Sequence, residues 1–229
     1  VFILCVGHDD DVREVVGAAL PELASGAVIV DHTTTSAKVA REMAALAAEQ
    51  GAAFLDAPVS GGQAGAEAGK LSIMIGGDVE ALARVEPVLA VYAKAVRHMG
   101  PPGSGQLTKM ANQIAIAGVV QGLAEAVHFA QSAGLDTDAV YEAISQGAAQ
   151  SWQMDNRWKT AAAGQFDFGF AVDWMRKDLG LVLDEARANG SHLAVTALVD
   201  QFYSEVQAMG GARWDTSSLA ARLQARRKG

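Results

Sequence analysis

The stretch AVIVDHTTTS (residues 27–36) decides the fold class. Its continuous apolar start is typical of a strand that is buried on both faces. The polar residues that follow lead into a segment, residues 36–47, where apolar side chains recur every three or four positions, as they do in an amphipathic helix. A buried strand followed directly by a helix is the repeating unit of a parallel sheet.

The same alternation of strand and helix continues on both sides of this stretch. Further apolar runs predict strands at Val1–Val6, Ala53–Val59, Leu71–Ile75 and near Ala95–Met99, and a helix at Val79–Tyr92. We therefore predict an α/β domain over residues 1–102, with a mainly parallel sheet that helices cover on both faces.

The strand patterns disappear after Gly100-Pro101-Pro102-Gly103. Residues 106–133 contain no proline and keep a helical periodicity for about 28 residues, or roughly 42 Å. Shorter helices are predicted at Asp136–Ser145, Ser151–Ala163, Asp173–Ala188, Leu193–Met209 and Ser217–Arg226. The sequence thus predicts a second, all-α domain over residues 103–229, which the long helix joins to the first.

The composition argues against several classes of protein. The 18 Lys and Arg residues against 26 Asp and Glu give a net charge of −8, which disfavours nucleic-acid binding. The single cysteine, Cys5, excludes an intramolecular disulfide and favours a reducing compartment; because it lies in an apolar run, we expect a small core residue. No uninterrupted apolar run reaches the ~18–20 residues of a membrane span. We expect a cytoplasmic protein with neither a nucleic-acid nor a membrane partner.

Two glycine-containing stretches could bind an anion. Residues 103–108 (GSGQLT) approach the dinucleotide pattern G-x-G-x-x-G, but threonine replaces the third glycine, and the helix that follows is too long for a crossover. A hinge and a helix start are the stronger interpretation there. Ser60, Gly61 and Gly62 follow a strand and offer a hydroxyl and backbone N–H groups, which suit a carboxylate or a phosphate. An ordinary glycine-rich turn explains them equally well.

Lys109 and Asn112 lie three residues apart on the long helix and therefore share one face. Close to a helix N-terminus the macrodipole repels a cation and lowers its pKa, which suits a general acid or base. A solvated surface lysine is the competing interpretation. For Lys177 and Asp178, a surface ion pair of little energetic value is the simplest interpretation.

Four motifs stand in a particular order: Asp31-His32-Thr33-Thr34, Asp56-Ala57-Pro58-Val59-Ser60-Gly61-Gly62, Gly103-x5-Lys109-x2-Asn112 and Lys177-Asp178-Leu179. Together they resemble the β-hydroxyacid dehydrogenase family, which includes 3-hydroxyisobutyrate dehydrogenases and tartronate semialdehyde reductases. The resemblance covers essentially the whole chain. It implies a Rossmann domain followed by an all-α domain, and we expect the family's G-x-G-x-x-G turn and first βαβαβ unit to lie upstream of Val1.

The resemblance also implies a reaction: hydride transfer between NAD or NADP and a small β-hydroxy acid, in a homodimer or homotetramer without a metal. Lys109 would be the catalytic acid or base. The substrate would be bound by Ser60, Gly61, Gly62 and Asn112, and the cofactor by Val6, Gly7, Thr34 and Lys177.

Two alternatives and the exact substrate stay open at this point. A non-catalytic, truncated homologue could serve as a dimerisation or interaction module; Lys109 argues against a non-catalytic protein, but the start at Val1 keeps a truncated, dimerising product open. The related imine reductases have Asp or Tyr in place of the lysine, so Lys109 disfavours them. Gln113 beside Asn112 is more typical of tartronate semialdehyde reductases than of 3-hydroxyisobutyrate enzymes. We interpret Trp152 and Trp158 as helix packing rather than as a wall of the substrate site.

Overall fold

A computed structural model describes residues 1–227. The chain divides into two compact units, residues 1–112 and the residues from Gln113 onward. The first unit contains, in chain order, β1 (Phe2–Leu4), α1 (Asp9–Ala19), a 3-10 turn (Leu20–Glu22), β2 (Val28–Asp31), α2 (Ala37–Glu49), β3 (Ala53–Asp56), β4 (Val59–Ser60), α3 (Gly62–Glu67), β5 (Leu71–Gly76), α4 (Val79–Leu89) and β6 (Ala93–Gly100).

The six strands form one sheet in the order β1-β2-β3-β5-β4, and β6 pairs with β5. The pairs β1–β2, β2–β3 and β5–β6 are parallel, so the predicted α/β fold is confirmed. The stretch Ala53–Val59, however, is not one strand. It breaks after Asp56, because Pro58 has no N–H to donate to a ladder, and β4 then runs antiparallel to β5.

Both faces of the sheet are buried, as the unbroken apolar runs predict. Ile29 and Phe54 pack with Val12, Val16 and Val39 of helices α1 and α2. The alternate positions on the same strands, Val30 and Leu55 among them, pack on the other face against helix α4. This alternation follows from the two-residue period of a strand.

Strand β1 lies at the edge of the sheet. Among the described residues it pairs with β2 alone, and the side chains of Val1 and Ile3 are 65% and 41% exposed. Cys5, just after this strand, is exposed as well. The prediction that Cys5 is a core residue is therefore wrong, because an apolar run does not by itself reveal whether a strand is central or at an edge.

The second unit is all-α. Helix α5 (Ser104–Ser132) begins in the first unit and continues into the second, where it is followed by α6 (Thr137–Ile144), α7 (Trp152–Ala162), α8 (Val172–Asn189), α9 (Ala194–Ala208), a 3-10 turn (Thr216–Ser218) and α10 (Leu219–Arg227). Its main core joins α5, α8, α9 and α10 around Val120, Met175, Leu179 and Tyr203.

Helix α5 is long and apolar enough to cross a membrane by length and composition alone, although no uninterrupted apolar run in the sequence suggests it. Its most apolar window has a mean hydropathy of 1.3, and 39% of that window is buried in the protein. The core helix of a soluble protein meets the same criterion, so the length and composition of α5 are only weak evidence for a membrane span.

The two tryptophans of α7 have different environments. Trp158 is 1% exposed, packs with Val127 and Met154, and donates from its indole N–H to the carbonyl of Thr137 at 2.9 Å. Trp152 is 59% exposed. The interpretation as helix packing is thus confirmed for Trp158 and wrong for Trp152.

Candidate active site

Helix α5 is anchored to the end of strand β3 by the carboxylate of Asp56. The backbone N–H of Gly103 donates to Oδ1 at 2.8 Å, and the N–H of Gln106 donates to Oδ2 at 2.9 Å. Asp56 is 1% exposed, and burial raises the pKa of its carboxyl group, while these N–H donors oppose that rise. The first turn of α5 is therefore tied to the carboxyl edge of the sheet.

The fully buried side chain of Gln106 extends this network to the loop after β2. Its amide donates to the carbonyl of Thr33 at 2.7 Å, and its oxygen accepts from the N–H of Thr35 at 3.0 Å. The hydroxyl of Thr33 in turn accepts from the N–H of Val6 at 2.9 Å. The ends of β1, β2 and β3 and the start of α5 thus form one connected edge.

A second buried carboxylate, Asp31, lies at the end of β2 in register with Asp56 of β3. One oxygen accepts from the N–H of Thr33 at 2.9 Å, while its Oδ2 has no hydrogen-bond partner in the structure. Burial raises the pKa of Asp31 to about 6, and the negative charge of Asp56 adds to the rise. Neither carboxylate was assigned a role from the sequence.

Lys109 and Asn112 lie on α5 within the first unit, one and two turns beyond Gly105. Lys109 is 8% exposed and Asn112 is half-buried. The interpretation of Lys109 as a solvated surface lysine is therefore wrong. A lysine this well buried is uncommon, because lysines are mostly exposed.

Ser60, Gly61 and Gly62 form the turn between β4 and α3. Ser60 ends β4 in register with Ser72 of β5, and both glycines are exposed, with φ values of 136° and 60°. The positive φ of Gly61 favours glycine, and a Cβ atom there would also lie 3.1 Å from a methyl group of Leu71. The turn leaves the hydroxyl and the backbone of these three residues near the surface.

The segment before this turn is held by His32. Its Nδ1 lies 2.7 Å from the carbonyl of Ala57, and its Nε2 lies 2.8 Å from the hydroxyl of Tyr92. Burial lowers the pKa of His32, which favours the neutral ring. Because a carbonyl only accepts, Nδ1 carries the proton, and the hydroxyl of Tyr92 then donates to Nε2.

Lys177 lies on α8 in the second unit. Its Nζ is 3.1 Å from Oδ1 of Asp178, and the amide of Gln113 donates to Oδ2 of that carboxylate at 2.6 Å. Asp178 is 2% exposed and the Lys177 side chain 15%. The expected surface ion pair is therefore a buried one.

The carboxyl edge of the first unit suits a nicotinamide nucleotide. Val6, Gly7 and Thr34 follow the parallel strands β1 and β2, at the edge where open α/β sheets bind ligands. Gly7 adds no side chain that would fill this edge. The start of α1, in contrast, carries Asp9, Asp10 and Asp11 in its first turn and does not suit a phosphate. Within residues 1–227, no group of His, Cys, Asp and Glu side chains could hold a metal ion.

Comparison with known protein families agrees with this architecture. Residues 1–100 match the NAD-binding domain of 6-phosphogluconate dehydrogenase, and residues 103–223 match the NAD-binding domain of NADP-dependent 3-hydroxyisobutyrate dehydrogenase. The chain belongs to the β-hydroxyacid dehydrogenase family. It is thus an NAD(P)-dependent hydroxyacid oxidoreductase, and its cofactor is NAD or NADP.

Individual relatives of this dehydrogenase include an uncharacterized oxidoreductase of Shewanella frigidimarina, 64% identical over 227 residues that cover 98% of this chain and 78% of that protein. The 2-hydroxy-3-oxopropionate reductase of Escherichia coli is 36% identical, over 87% of this chain and 68% of the reductase. Among solved structures, a Mycobacterium tuberculosis 3-hydroxyisobutyrate dehydrogenase with L-serine superposes with a TM-score of 0.88 at 32% identity, over 96% of this chain and 78% of that one.

Proposed function

We propose that this dehydrogenase interconverts a small β-hydroxy acid and the corresponding carbonyl compound, with Lys109 as the catalytic acid and base. The observation that carries the proposal is the position of Lys109: it is buried, on a helix whose first turn is hydrogen-bonded to the carboxyl edge of the sheet. A bound nicotinamide would supply the hydride acceptor or donor for the carbinol carbon, and the residues of this chain bind the substrate and move its proton.

Lys109 transfers the proton of the substrate hydroxyl. In the oxidative direction its Nζ takes the proton of the substrate hydroxyl while the hydride leaves the carbon, so the C–H and O–H bonds break and a C=O bond forms. In the reverse direction the ammonium donates that proton to the carbonyl oxygen. Asn112 lies one turn further along α5, where its amide can hydrogen-bond the same substrate.

The substrate carboxylate would be bound by the turn after β4. The hydroxyl of Ser60 and the backbone N–H groups of Gly61 and Gly62 are donors at an exposed turn, and donors in such a turn suit an anion. The names of the relatives support a small hydroxy or oxo acid, as in 3-hydroxyisobutyrate or 2-hydroxy-3-oxopropionate. On the cofactor side we assign Val6, Gly7, Thr34 and Lys177.

The substitution Lys109→Ala tests the proposal. We expect turnover of the hydroxy acid to fall by about 10²-fold or more, the usual contribution of a general acid or base, with cofactor affinity unchanged. Lys94→Ala, at an exposed lysine of β6, is the matched control and should keep full turnover. Turnover of the Lys109 variant at the level of the control would refute the assignment.

A further inference from the structure

Asp56 supplies a helix cap from another part of the chain. The first N–H groups of a helix lack partners within the helix, and a side chain just before the helix usually accepts from them. For α5 the carboxylate of Asp56, 47 residues before Gly103, accepts from Gly103 and Gln106 instead. Oδ1 accepts from Gly103 and Oδ2 from Gln106, and hydrogen bonds to a charged carboxylate are stronger than those between neutral groups.

Two glycines leave the space that this carboxylate occupies. A Cβ at Gly76, the β5 partner of Asp56, would lie 2.8 Å from the carboxyl carbon of Asp56. A Cβ at Gly105 would lie 2.7 Å from the Asp56 backbone oxygen and 2.9 Å from its Oδ2. Real Cβ atoms do not approach so closely, so β3, β5 and the first turn of α5 close around one side chain.

The consequence concerns Lys109. Gln106, whose N–H is held by Asp56, precedes Lys109 by three residues, or about 4.5 Å along the helix axis. The side chain of Gln106 also binds the loop at Thr33 and Thr35, so both the axial position and the rotation of this turn are fixed. We infer that Asp56 is a positioning residue for Lys109, an inference that rests on the proposed role of Lys109 as acid and base.

A purely structural cap would behave differently, and the protein contains one for comparison. Asp78 accepts from the N–H of Ala81 at 2.7 Å and caps α4, which carries none of the proposed site residues. Asp56→Asn and Asp78→Ala each remove a carboxylate acceptor at a helix start. Asparagine keeps one acceptor oxygen, which leaves one of the two bonds of Asp56 unmade but would satisfy the single bond of Asp78, so alanine is used at position 78.

The experiment compares the two variants of the full chain. For Asp56→Asn we expect kcat to fall by about tenfold or more, since small misplacement of a catalytic group is costly, while KM for the hydroxy acid changes less than about threefold. The NMR titration of the Lys109 Cε should shift as well, and the amides of Gly103 and Gln106 should exchange faster with solvent. Asp78→Ala, which removes the cap of α4, should speed exchange at the start of α4 alone and keep kcat and the Lys109 titration.

Faster amide exchange in Asp56→Asn with an unchanged kcat and an unchanged Lys109 titration would overturn the inference and leave the proposed function intact. Full turnover in Lys109→Ala would instead refute the proposed function. If Asp56→Asn does not fold, Gln106→Glu replaces it, because glutamate keeps the acceptor for Thr35 and loses the donor to Thr33. The same fall in kcat and the same shift of the Lys109 titration are expected, and their absence overturns the inference.

Discussion

The side-chain amide of Gln113 donates a 2.6 Å hydrogen bond to the carboxylate of Asp178, and both residues are buried. The bond joins helix α5 to helix α8 inside the second unit. The other oxygen of Asp178 lies 3.1 Å from Nζ of Lys177. The side chain of an asparagine at position 113 would be one methylene shorter, and its amide would lie further from this carboxylate. The glutamine therefore has a structural function that does not depend on the substrate.

Gln113→Leu should therefore destabilise the protein. Leucine fills a similar volume but leaves a buried carboxylate oxygen without its donor, which costs about 1–3 kcal/mol. Gln63→Leu is the control, because Gln63 donates to Glu67 on an exposed face, where such a pair contributes about 0.2–0.5 kcal/mol. Urea unfolding measures both free energies. Equal losses in the two variants would mean that the Gln113–Asp178 bond adds nothing to stability.

Asp31 should make the stability depend on pH. Its pKa is about 6 in the folded protein and 3.8 as the ordinary value, so between these limits the folded state holds a proton that the unfolded state has lost. The free energy of unfolding then falls as the pH rises through this window, and the 2.2-unit difference (6 − 3.8) corresponds to about 3 kcal/mol.

Asp31→Asn removes this titration and keeps an oxygen for the N–H of Thr33. We expect the free energy of unfolding of the variant, relative to that of the natural protein, to increase by about 3 kcal/mol as the pH rises from about 4 to about 7. His32, whose lowered pKa acts in the opposite sense, titrates in both proteins, so its contribution cancels in the difference. Denaturant unfolding of both proteins across this pH range measures the difference in their free energies of unfolding. A difference that does not vary with pH would contradict the prediction.

The elements that the sequence predicts correctly are those that depend on local pattern. Two such patterns are the unbroken apolar run before Asp31 and the proline-free, periodic stretch of α5. Each is complete within one segment of the chain, and the structure has a strand and a helix there. The glycine turn at Gly61 is local in the same sense, because a backbone with positive φ favours glycine wherever it occurs.

The contacts that build the candidate site are not local. Asp56 and Gly103 meet across 47 residues, and Gln106 meets Thr33 across 73. The available signal for Asp56 is an acidic residue at the end of the apolar run of β3, which alone predicts a solvated strand end. The exposure of Cys5 depends likewise on the place of β1 in the sheet, which its own residues do not determine.

Ser60→Ala tests the proposed carboxylate site. Removing a hydroxyl that donates to a charged group costs roughly 1.5 kcal/mol or more, so KM for the acid substrate should rise by about tenfold or more, while KM for the cofactor stays unchanged. Ser72→Ala is the matched control, because Ser72 is the cross-strand partner of Ser60 on β5 and has no proposed contact with substrate. Steady-state kinetics with each substrate varied in turn separates the two constants. An equal rise in both KM values, or the same rise in the Ser72 variant, would show that the carboxylate binds elsewhere.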